Sequence, residues 1–257
     1  MKIEIIPCHF DNFSYLLICE ESGKAAIVDP AEYYPISQVI RKMGVELVAI
    51  YCTHHHADHI GGLAEFCEEY PTLEVAGFKG DSGRIPGLTH TLEDNDVVHF
   101  GKVTGSVKHT PGHTSGGICF LFGDQLFTGD TLFGAGCGRL FEGSPEQMYN
   151  SLHSLTDGLE GEVKVYFGHE YTVSNLKFAE FIEPDNQLIA DRLSEANAML
   201  EKGGSTTPST IGLERQTNPF LRSSIEAVRK RLAEKLLIEA TDPVSVFTAV
   251  RLLKDSY

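Results

Sequence analysis

The sequence is short of positive charge. Of its 257 residues, 21 are lysine or arginine and 36 are aspartate or glutamate, so the formal net charge at pH 7 is −15. Nucleic acids and anionic membrane surfaces are bound by basic faces, and this balance argues against both as partners. An anionic substrate would need a local group of basic side chains.

Paired cysteines and long apolar runs are also missing. The six cysteines are scattered and form no C-x-x-C pair, so neither a thiolate zinc site nor a redox motif is indicated. This spacing is typical of reduced thiols in a cytosol-like compartment. No apolar run could span a bilayer, and the strand-like residues 1–6 reach Asp11 too early for a signal peptide. We expect a soluble, cytoplasmic, monomeric protein.

The order of strand and helix patterns predicts two domains. Up to about residue 172, short apolar runs alternate with glycine-bearing turns and a few helical stretches, which indicates an α/β layered core. Beyond that point no segment is a convincing strand, so we predict an α/β domain over residues 1–172 and a helical domain over residues 173–257. The helical periodicity is found near residues 174–182, 185–202, 223–238 and 243–255.

The most informative segment is Thr-His-His-His-Ala-Asp-His at residues 53–59. It follows the apolar residues 47–51 and precedes Gly61 and Gly62, which predicts a buried strand, a loop and then a helix. In open α/β sheets, ligand and metal sites lie at such strand ends. One or two of these histidines could be structural, but four imidazoles held together favour a bound metal ion. His55 is expected to face away or to support the ligands.

Other apolar runs also end in a histidine or an aspartate. Taken singly, each of these residues could equally be structural, but together they give more ligands than one ion takes. Two metal ions sharing a bridging carboxylate would use them all. The candidates are His54, His56, Asp58 and His59 from the first segment, and His113, Asp130 and His169 from later strand ends.

The T-H-x-H-x-D-H motif, with its later histidine, aspartate and histidine, resembles the metallo-β-lactamase fold superfamily. Within it, the chain resembles the glyoxalase II (hydroxyacylglutathione hydrolase) family. The resemblance implies an αβ/βα four-layer sandwich with a C-terminal all-helical domain. The narrower resemblance rests on the helical tail and on residues 110–116, 127–133, 136–143 and 168–172.

Carried over by position, the resemblance implies a dinuclear metal site and an activity. The two divalent ions are expected to be zinc, although nitrogen and oxygen ligands also accept iron or manganese. The implied reaction is hydrolysis of S-(2-hydroxyacyl)glutathione thioesters by a bridging hydroxide, with S-D-lactoylglutathione giving D-lactate and glutathione in methylglyoxal detoxification. His54, His56 and His113 would bind one ion, Asp58, His59 and His169 the other, and Asp130 both.

The resemblance also implies groups that bind glutathione. Arg251 and Lys254 are three residues apart, so they share one helix face and could bind a tripeptide with two carboxylates. The alternative is a solvated helix end, where cations suit the helix dipole. Some family members have lysine and tyrosine at positions 139 and 141, and here the phenylalanine lacks a hydroxyl donor. The implied substrate residues are Arg139, Phe141, Tyr171, Arg251 and Lys254.

Two other classes of function stay open. The first is another reaction of the superfamily, such as that of a one-iron persulfide dioxygenase, a lactonase or a phosphodiesterase. Asp58 favours two metals over one, and the basic pair in the last helix favours a glutathione thioester. The second is a non-catalytic binding protein, which would be expected to lack some of the metal ligands, whereas the sequence retains every candidate.

Overall fold

The computed structural model describes residues 1–235 and 237–257, except for the side chain of residue 235. The described chain forms two compact units. The first unit contains Met1–His109 and Ser115–Gly129, and the second contains Thr110–Thr114 and Asp130–Tyr257. The domain boundary predicted between residues 172 and 173 stays a prediction.

The first unit contains a mixed sheet whose strands are adjacent in chain order. Its first three strands are antiparallel, and from the third strand onward the neighbours are parallel. The N-terminal strand, whose strand-like pattern the sequence shows, lies at the edge of this sheet. The strands are β1 (Lys2–Cys8), β2 (Asn12–Ile18), β3 (Lys24–Val28), β4 (Glu46–Tyr51), β5 (Glu74–Phe78) and β6 (His90–Leu92). The connecting helices are α1 (Tyr33–Met43), α2 (Ala57–Ile60), α3 (Leu63–Glu69) and the 3-10 helix Lys79–Asp81.

A second, antiparallel set of strands in the first unit packs on this sheet. Successive residues of a strand point to opposite faces. Tyr15 therefore packs on Phe127, with ring centroids 5.3 Å apart, while its neighbour Leu16 joins the core formed with the helices. Tyr51 likewise lies 5.3 Å from Phe120. The strands of this second set are β7 (Val97–Phe100), β8 (Val103–His109), β9 (Ile118–Phe122) and β10 (Gln125–Gly129).

The parallel pairing of β3 and β4 brings two loops to one edge of the sheet. Val28 and Tyr51 are partners in the register, so the residues that follow each strand begin side by side. The loop after β4 carries the histidine-rich segment and leads into α2. This is the predicted order of strand, loop and helix.

The second unit is mainly helical, as predicted for the end of the chain. Helices are found at all four predicted places, but the predicted helix 223–238 is helical only over Glu226–Lys235, and its residue 236 lies outside the described residues. The helices are α4 (Pro145–Thr156), α5 (Thr172–Ile182), α6 (Gln187–Glu201), α7 (Ile211–Thr217), α8 (Glu226–Lys235) and α9 (Pro243–Ser256). The short strands are β11 (Leu132–Phe133), β12 (Gly136–Cys137), β13 (Lys164–Phe167) and β14 (Ser209–Thr210).

The prediction of no strand beyond Tyr171 is wrong at β14. Lys164 and Thr210 are partners in the antiparallel pairing of β13 with β14. Serine and threonine form no apolar alternation, and this pairing is made by the backbone with a distant segment. The helix α7 that follows was not predicted either.

Two kinds of packing join the helices of the second unit. Leu176 and Ala179 of α5 pack with Ile189 and Ala196 of α6 in a buried apolar cluster. A buried ion pair between Arg192 and Glu214 links α6 to α7. Among the described residues, no helix is both long enough and apolar enough to cross a lipid bilayer.

Candidate metal centre and substrate groups

The loop after β4 brings the predicted imidazoles together. The buried His54 places its Nε2 at 3.1 Å from Nδ1 of His56. The His54 and His59 rings have centroids 4.1 Å apart, and Nε2 of His59 lies 3.8 Å from a carboxylate oxygen of Asp58. Ring nitrogens held this close compete for protons, whereas a divalent cation could accept electron pairs from several of them.

Asp29, the residue after β3, supports this loop and was not predicted. The backbone N–H and the hydroxyl of Thr53 each donate a hydrogen bond of 2.7 Å to the Asp29 carboxylate. Nδ1 of His59 lies 2.9 Å from Oδ2 of Asp29. A proton shared with a carboxylate at Nδ1 leaves Nε2 of His59 as the ring nitrogen that can bind a metal. Asp29 therefore fixes both the loop and the orientation of a candidate ligand.

His55 belongs to a different polar group, within the first unit. Its Nδ1 lies 3.5 Å from Oδ2 of the buried Asp81. Asp81 also forms an ion pair with Arg84, which donates a hydrogen bond of 3.1 Å to the Ser115 hydroxyl. These contacts direct His55 toward Asp81 and Arg84, neither of which is a candidate ligand. Whether His55 supports the ligands or only faces away from them stays a prediction.

The second unit brings three other predicted ligands together. Nε2 of His113 lies 3.3 Å from Oδ2 of Asp130, and Nε2 of His169 lies 3.4 Å from Oδ1. All three side chains are buried. One imidazole beside each carboxylate oxygen is the arrangement in which a carboxylate can bridge two ions.

The backbone of the loop after β12 holds His113. Nδ1 of His113 lies 2.8 Å from the carbonyl oxygen of Arg139, so Nδ1 carries the proton and Nε2 is left to face Asp130. A Cβ at Gly138 would overlap the Asp130 carbonyl oxygen and would lie 2.9 Å from Nδ1 of His113. Only glycine fits there, because any side chain would displace both residues.

Aromatic rings surround His169. The ring of Tyr171 stacks on it with centroids 4.8 Å apart and an interplanar angle of 2°. Phe133 meets both rings edge-on, at 5.9 Å from His169 and 5.5 Å from Tyr171. Tyr171 is partly exposed, so it can contact a substrate while it packs on a buried candidate ligand.

Two of the predicted substrate residues lie on the loop beside His113. Arg139 is exposed, and Phe141 exposes 63% of its surface. The Phe141 ring centroid lies 5.2 Å from that of His113, and its backbone N–H donates a hydrogen bond of 3.2 Å to the His113 carbonyl. Phe141 is therefore available for apolar contact with a bound molecule.

The basic pair of α9 is unequally exposed. Arg251 is buried, donates a hydrogen bond of 3.0 Å to the Cys137 carbonyl and pairs with Asp255 at 2.7 Å. Its contact with a substrate stays a prediction. Lys254 is half-buried. Burial, together with the nearby charges of Arg251 and Arg139, lowers the pKa of its ammonium to about 8. The structure thus gives the pair one buried and one accessible cation.

The chemistry of these donors fits divalent metal ions. Imidazole nitrogens and carboxylate oxygens suit zinc, iron and manganese better than they suit copper(I). His59 and His113 each donate a hydrogen bond from the Nδ1–H group, to a carboxylate and to a backbone carbonyl respectively, as metal-binding histidines in proteins do.

Comparison with known proteins places these features in a family. Residues 10–169 match the model of the metallo-beta-lactamase superfamily, and residues 170–257 match that of the hydroxyacylglutathione hydrolase C-terminus. A hydroxyacylglutathione hydrolase of Rippkaea orientalis is 42% identical over 100% of both chains. Another, from Gloeobacter violaceus, is 45% identical over 96% of each.

Solved structures share the fold. The crystal structure of ETHE1 from Myxococcus xanthus aligns with a TM-score of 0.67 and 24% identity over 100% of this chain and 99% of that one. The crystal structure of TTHA1623 in a di-iron-bound form aligns with a TM-score of 0.61 and 26% identity over 84% of this chain and 98% of that one. The predicted metallo-β-lactamase-like fold with a helical C-terminal region is confirmed.

Proposed function

The chain belongs to the hydroxyacylglutathione hydrolase family of the metallo-β-lactamase superfamily, and from this membership we propose that it hydrolyses S-(2-hydroxyacyl)glutathione thioesters. S-D-lactoylglutathione would give D-lactate and glutathione, the second step of methylglyoxal detoxification. The observation that carries the proposal is a similarity to named hydrolases over the whole chain, including the C-terminal region that has its own family model.

For the metal centre, we propose two divalent ions and choose zinc, with iron or manganese as alternatives. Support for a bridging Asp130 comes from the placement of one imidazole beside each of its oxygens. Support for iron comes from the di-iron form of a solved relative. In the proposed assignment, His54, His56 and His113 bind one ion, Asp58, His59 and His169 bind the other, and Asp130 binds both.

When bound, two such ions lower the pKa of a water molecule and draw electron density from a carbonyl oxygen. The protein residues hold this chemistry in place. Asp29 keeps Nε2 of His59 deprotonated and oriented, and the Arg139 carbonyl does the same for His113. Asn12 donates hydrogen bonds to the backbone carbonyl and to the carboxylate oxygen Oδ2 of Asp58. These bonds hold the Asp58 carboxylate in one orientation, in which it would bind a metal ion. A thiolate is a good leaving group, so no side chain needs to donate a proton to it.

Glutathione binding is assigned to residues that the fold leaves accessible. Arg139 and Lys254 would attract the carboxylates of the tripeptide, and Tyr171 and Phe141 would contact its backbone and side chains. Arg251 would act mainly by holding the loop at Cys137, because its side chain is buried there. In a protein of net charge −15, a small basic group of this kind would give binding its specificity for an anionic ligand.

We further propose that residues 1–172 form the catalytic domain and residues 173–257 the substrate-binding domain of a monomeric, cytoplasmic enzyme. The excess of acidic residues supports a small-molecule partner over nucleic acid or membrane lipid. The six cysteines are thiols in the structure, which agrees with a reducing compartment.

The test combines metal analysis with a thioester assay. Purified full-length protein should contain about two metal ions per chain. It should also hydrolyse S-D-lactoylglutathione, and the loss of thioester absorbance measures the rate. Chelation should abolish the activity, and separate addition of zinc, iron or manganese should show which ion restores it. Failure to hydrolyse the thioester, together with lactone hydrolysis or oxygen uptake, would overturn the proposed function.

The ligand assignment has its own matched pair of variants. His113→Ala should bind about one ion fewer and lose activity, because His113 is buried beside Asp130. His99→Ala should match the wild type in both respects, because His99 is an exposed residue of β7 bonded to Thr104. Unchanged metal content in His113→Ala would contradict the assignment.

A further inference from the structure

The hairpin of β11 and β12 lies between two groups of the proposed metal centre. Its strands are two residues long, and Leu132 and Cys137 are partners in their antiparallel pairing. Asp130 precedes the hairpin by two residues, and the Arg139 carbonyl that orients His113 follows it by two. A hairpin this short has too few bonds of its own to fix its conformation, so other parts of the second unit must hold it.

Buried side chains from α7 and from the residue after it hold the turn of this hairpin. We call residues 134–136 the hairpin turn. A carboxylate oxygen of Glu214 accepts a hydrogen bond of 2.8 Å from the backbone N–H of Ala135. The amide of Asn218 donates a bond of 3.0 Å to the carbonyl oxygen of Gly136. Glu214 and Asn218 are fully buried, so solvent cannot supply these bonds in their place.

The hairpin turn has a backbone conformation that needs this support. Ala135 has a φ of 54°, in the left-handed region that alanine seldom occupies. Such a conformation persists where the contacts around it over-determine it. The carbonyl oxygens on either side are both bonded, that of Gly134 to Asn175 of α5 and that of Gly136 to Asn218. Each residue of the hairpin turn therefore has a backbone group bonded to a buried side chain.

Asn218 and Glu214 also fix each other. Nδ2 of Asn218 donates a bond of 3.1 Å to the Glu214 oxygen that accepts from Ala135. Oδ1 of Asn218 accepts a bond of 3.0 Å from the backbone N–H of Phe220, so the amide cannot turn round without losing bonds on both sides. The other oxygen of Glu214 pairs with the guanidinium of Arg192, and hydrogen bonds to a carboxylate in such a pair are the stronger kind.

The chain that leaves the hairpin touches Asp130 itself. A Cβ at Gly138 would overlap the Asp130 carbonyl oxygen, so the two backbone segments are in contact at this point. A shift of the hairpin turn would therefore move Asp130 and the Arg139 carbonyl with it. A misplacement of about 1 Å is enough to impair a site that depends on precise geometry.

We propose that Asn218 and Glu214 are positioning residues for the metal centre, which hold Asp130 and His113 in place by fixing the hairpin turn. The inference rests on the proposed function and goes beyond it, because it gives the helical region a part in metal binding besides its proposed part in substrate binding. Buried hydrogen-bonded groups add little net stability over apolar residues of the same shape, so their contribution here is the selection of one geometry.

The test replaces Asn218 by leucine, which has nearly the same shape and no donor. For Asn218→Leu, we expect the affinity for zinc to fall about tenfold, the size of effect found for groups that hold metal ligands. Competition with a chromogenic chelator measures the affinity. The visible absorption of the cobalt(II)-substituted protein should also change, because it reports the geometry around the ion, which a purely structural residue would leave unaltered.

Two control variants match the chemical change and the loss of stability. Asn197→Leu removes an exposed amide that bonds to the Leu193 carbonyl within α6. Leu232→Ala removes apolar atoms from the buried side of α8 and should lower the unfolding temperature. Both variants should retain the zinc affinity and the cobalt spectrum of the wild type at temperatures where they are folded.

A second substitution covers the case in which the leucine variant does not fold. Asn218→Ser is smaller, so it fits the same space, and it should show the change in the cobalt spectrum with a smaller loss of zinc affinity. A folded Asn218→Leu or Asn218→Ser with the affinity and spectrum of the wild type would refute the positioning role and leave the proposed function standing. A wild type that binds zinc but hydrolyses no glutathione thioester would overturn the proposed function alone.

Discussion

Nδ1 of His59 lies 2.9 Å from a carboxylate oxygen of Asp29, at the edge where β3 and β4 end side by side. The same carboxylate accepts two hydrogen bonds from Thr53. For Asp29→Asn, we expect metal affinity and kcat to fall about 10- to 100-fold, because an amide cannot accept all three protons and His59 loses its orientation. Competition with a chromogenic chelator measures the affinity.

The matched control for this prediction is Asp157→Asn. Asp157 is exposed at the end of α4, so the same chemical change there should leave metal affinity unaltered. Equal metal affinity in Asp29→Asn and wild type would show that His59 needs no support from Asp29. Circular dichroism of the variant separates a specific loss of metal affinity from misfolding.

The proposed ligands could be predicted because each follows an apolar run, a pattern that a sequence displays locally. Asp29 follows residues 25–28 in the same way, yet its role depends on the parallel register of β3 with β4, which no local pattern gives. The spacing of Arg251 and Lys254 predicts a shared helix face. It cannot predict that Arg251 is buried against Cys137, 114 residues away along the chain.

Lys254 predicts a pH dependence of substrate binding. Its pKa is lowered to about 8 by burial and by two neighbouring arginines, so the ammonium is present below pH 8 and is lost as the pH rises through that value. The KM for S-D-lactoylglutathione should therefore rise about tenfold between pH 7 and pH 9, the worth of a hydrogen bond to a charged group. Steady-state kinetics across this range measure the effect.

Lys254→Arg provides the control for titration of the substrate and of other groups. Arginine stays charged throughout the range, so the variant should show a KM that is much less dependent on pH. Parallel KM profiles for the variant and the wild type would exclude Lys254 as the titrating group. The KM of the variant is divided by the KM of the wild type at each pH, and this ratio removes effects of pH that are common to both proteins.

The buried ion pair of the second unit predicts a large effect on stability. Nη2 of Arg192 lies 2.5 Å from Oε1 of Glu214, and the other oxygen of Glu214 accepts a hydrogen bond of 2.8 Å from the Ala135 backbone. Arg192→Met should lower the free energy of unfolding by about 3–5 kcal/mol, because it leaves a buried carboxylate without its cation. Urea denaturation of the metal-loaded protein measures the change.

An exposed pair on α8 offers the comparison. Lys230 and Glu234 lie 3.9 Å apart in solvent, so Lys230→Met should change the stability by at most about 1 kcal/mol. Similar losses in the two variants would mean that Glu214 is solvated when Arg192 is removed. The double variant Arg192→Met with Glu214→Leu should recover part of the loss, since no buried charge then remains.

For Phe141, we predict that adding one hydroxyl group to the ring strengthens substrate binding. Its exposed ring lies beside His113 on the loop proposed to contact glutathione, and the solvent around it leaves room for a hydroxyl group. Phe141→Tyr should lower the KM for S-D-lactoylglutathione about three- to tenfold with kcat nearly unchanged, the worth of one added hydrogen bond. Phe141→Leu keeps an apolar side chain without a donor and should not lower the KM. Equal KM values for the tyrosine and phenylalanine forms would place the glutathione contact elsewhere on the loop, because a hydroxyl within reach of the substrate would strengthen binding.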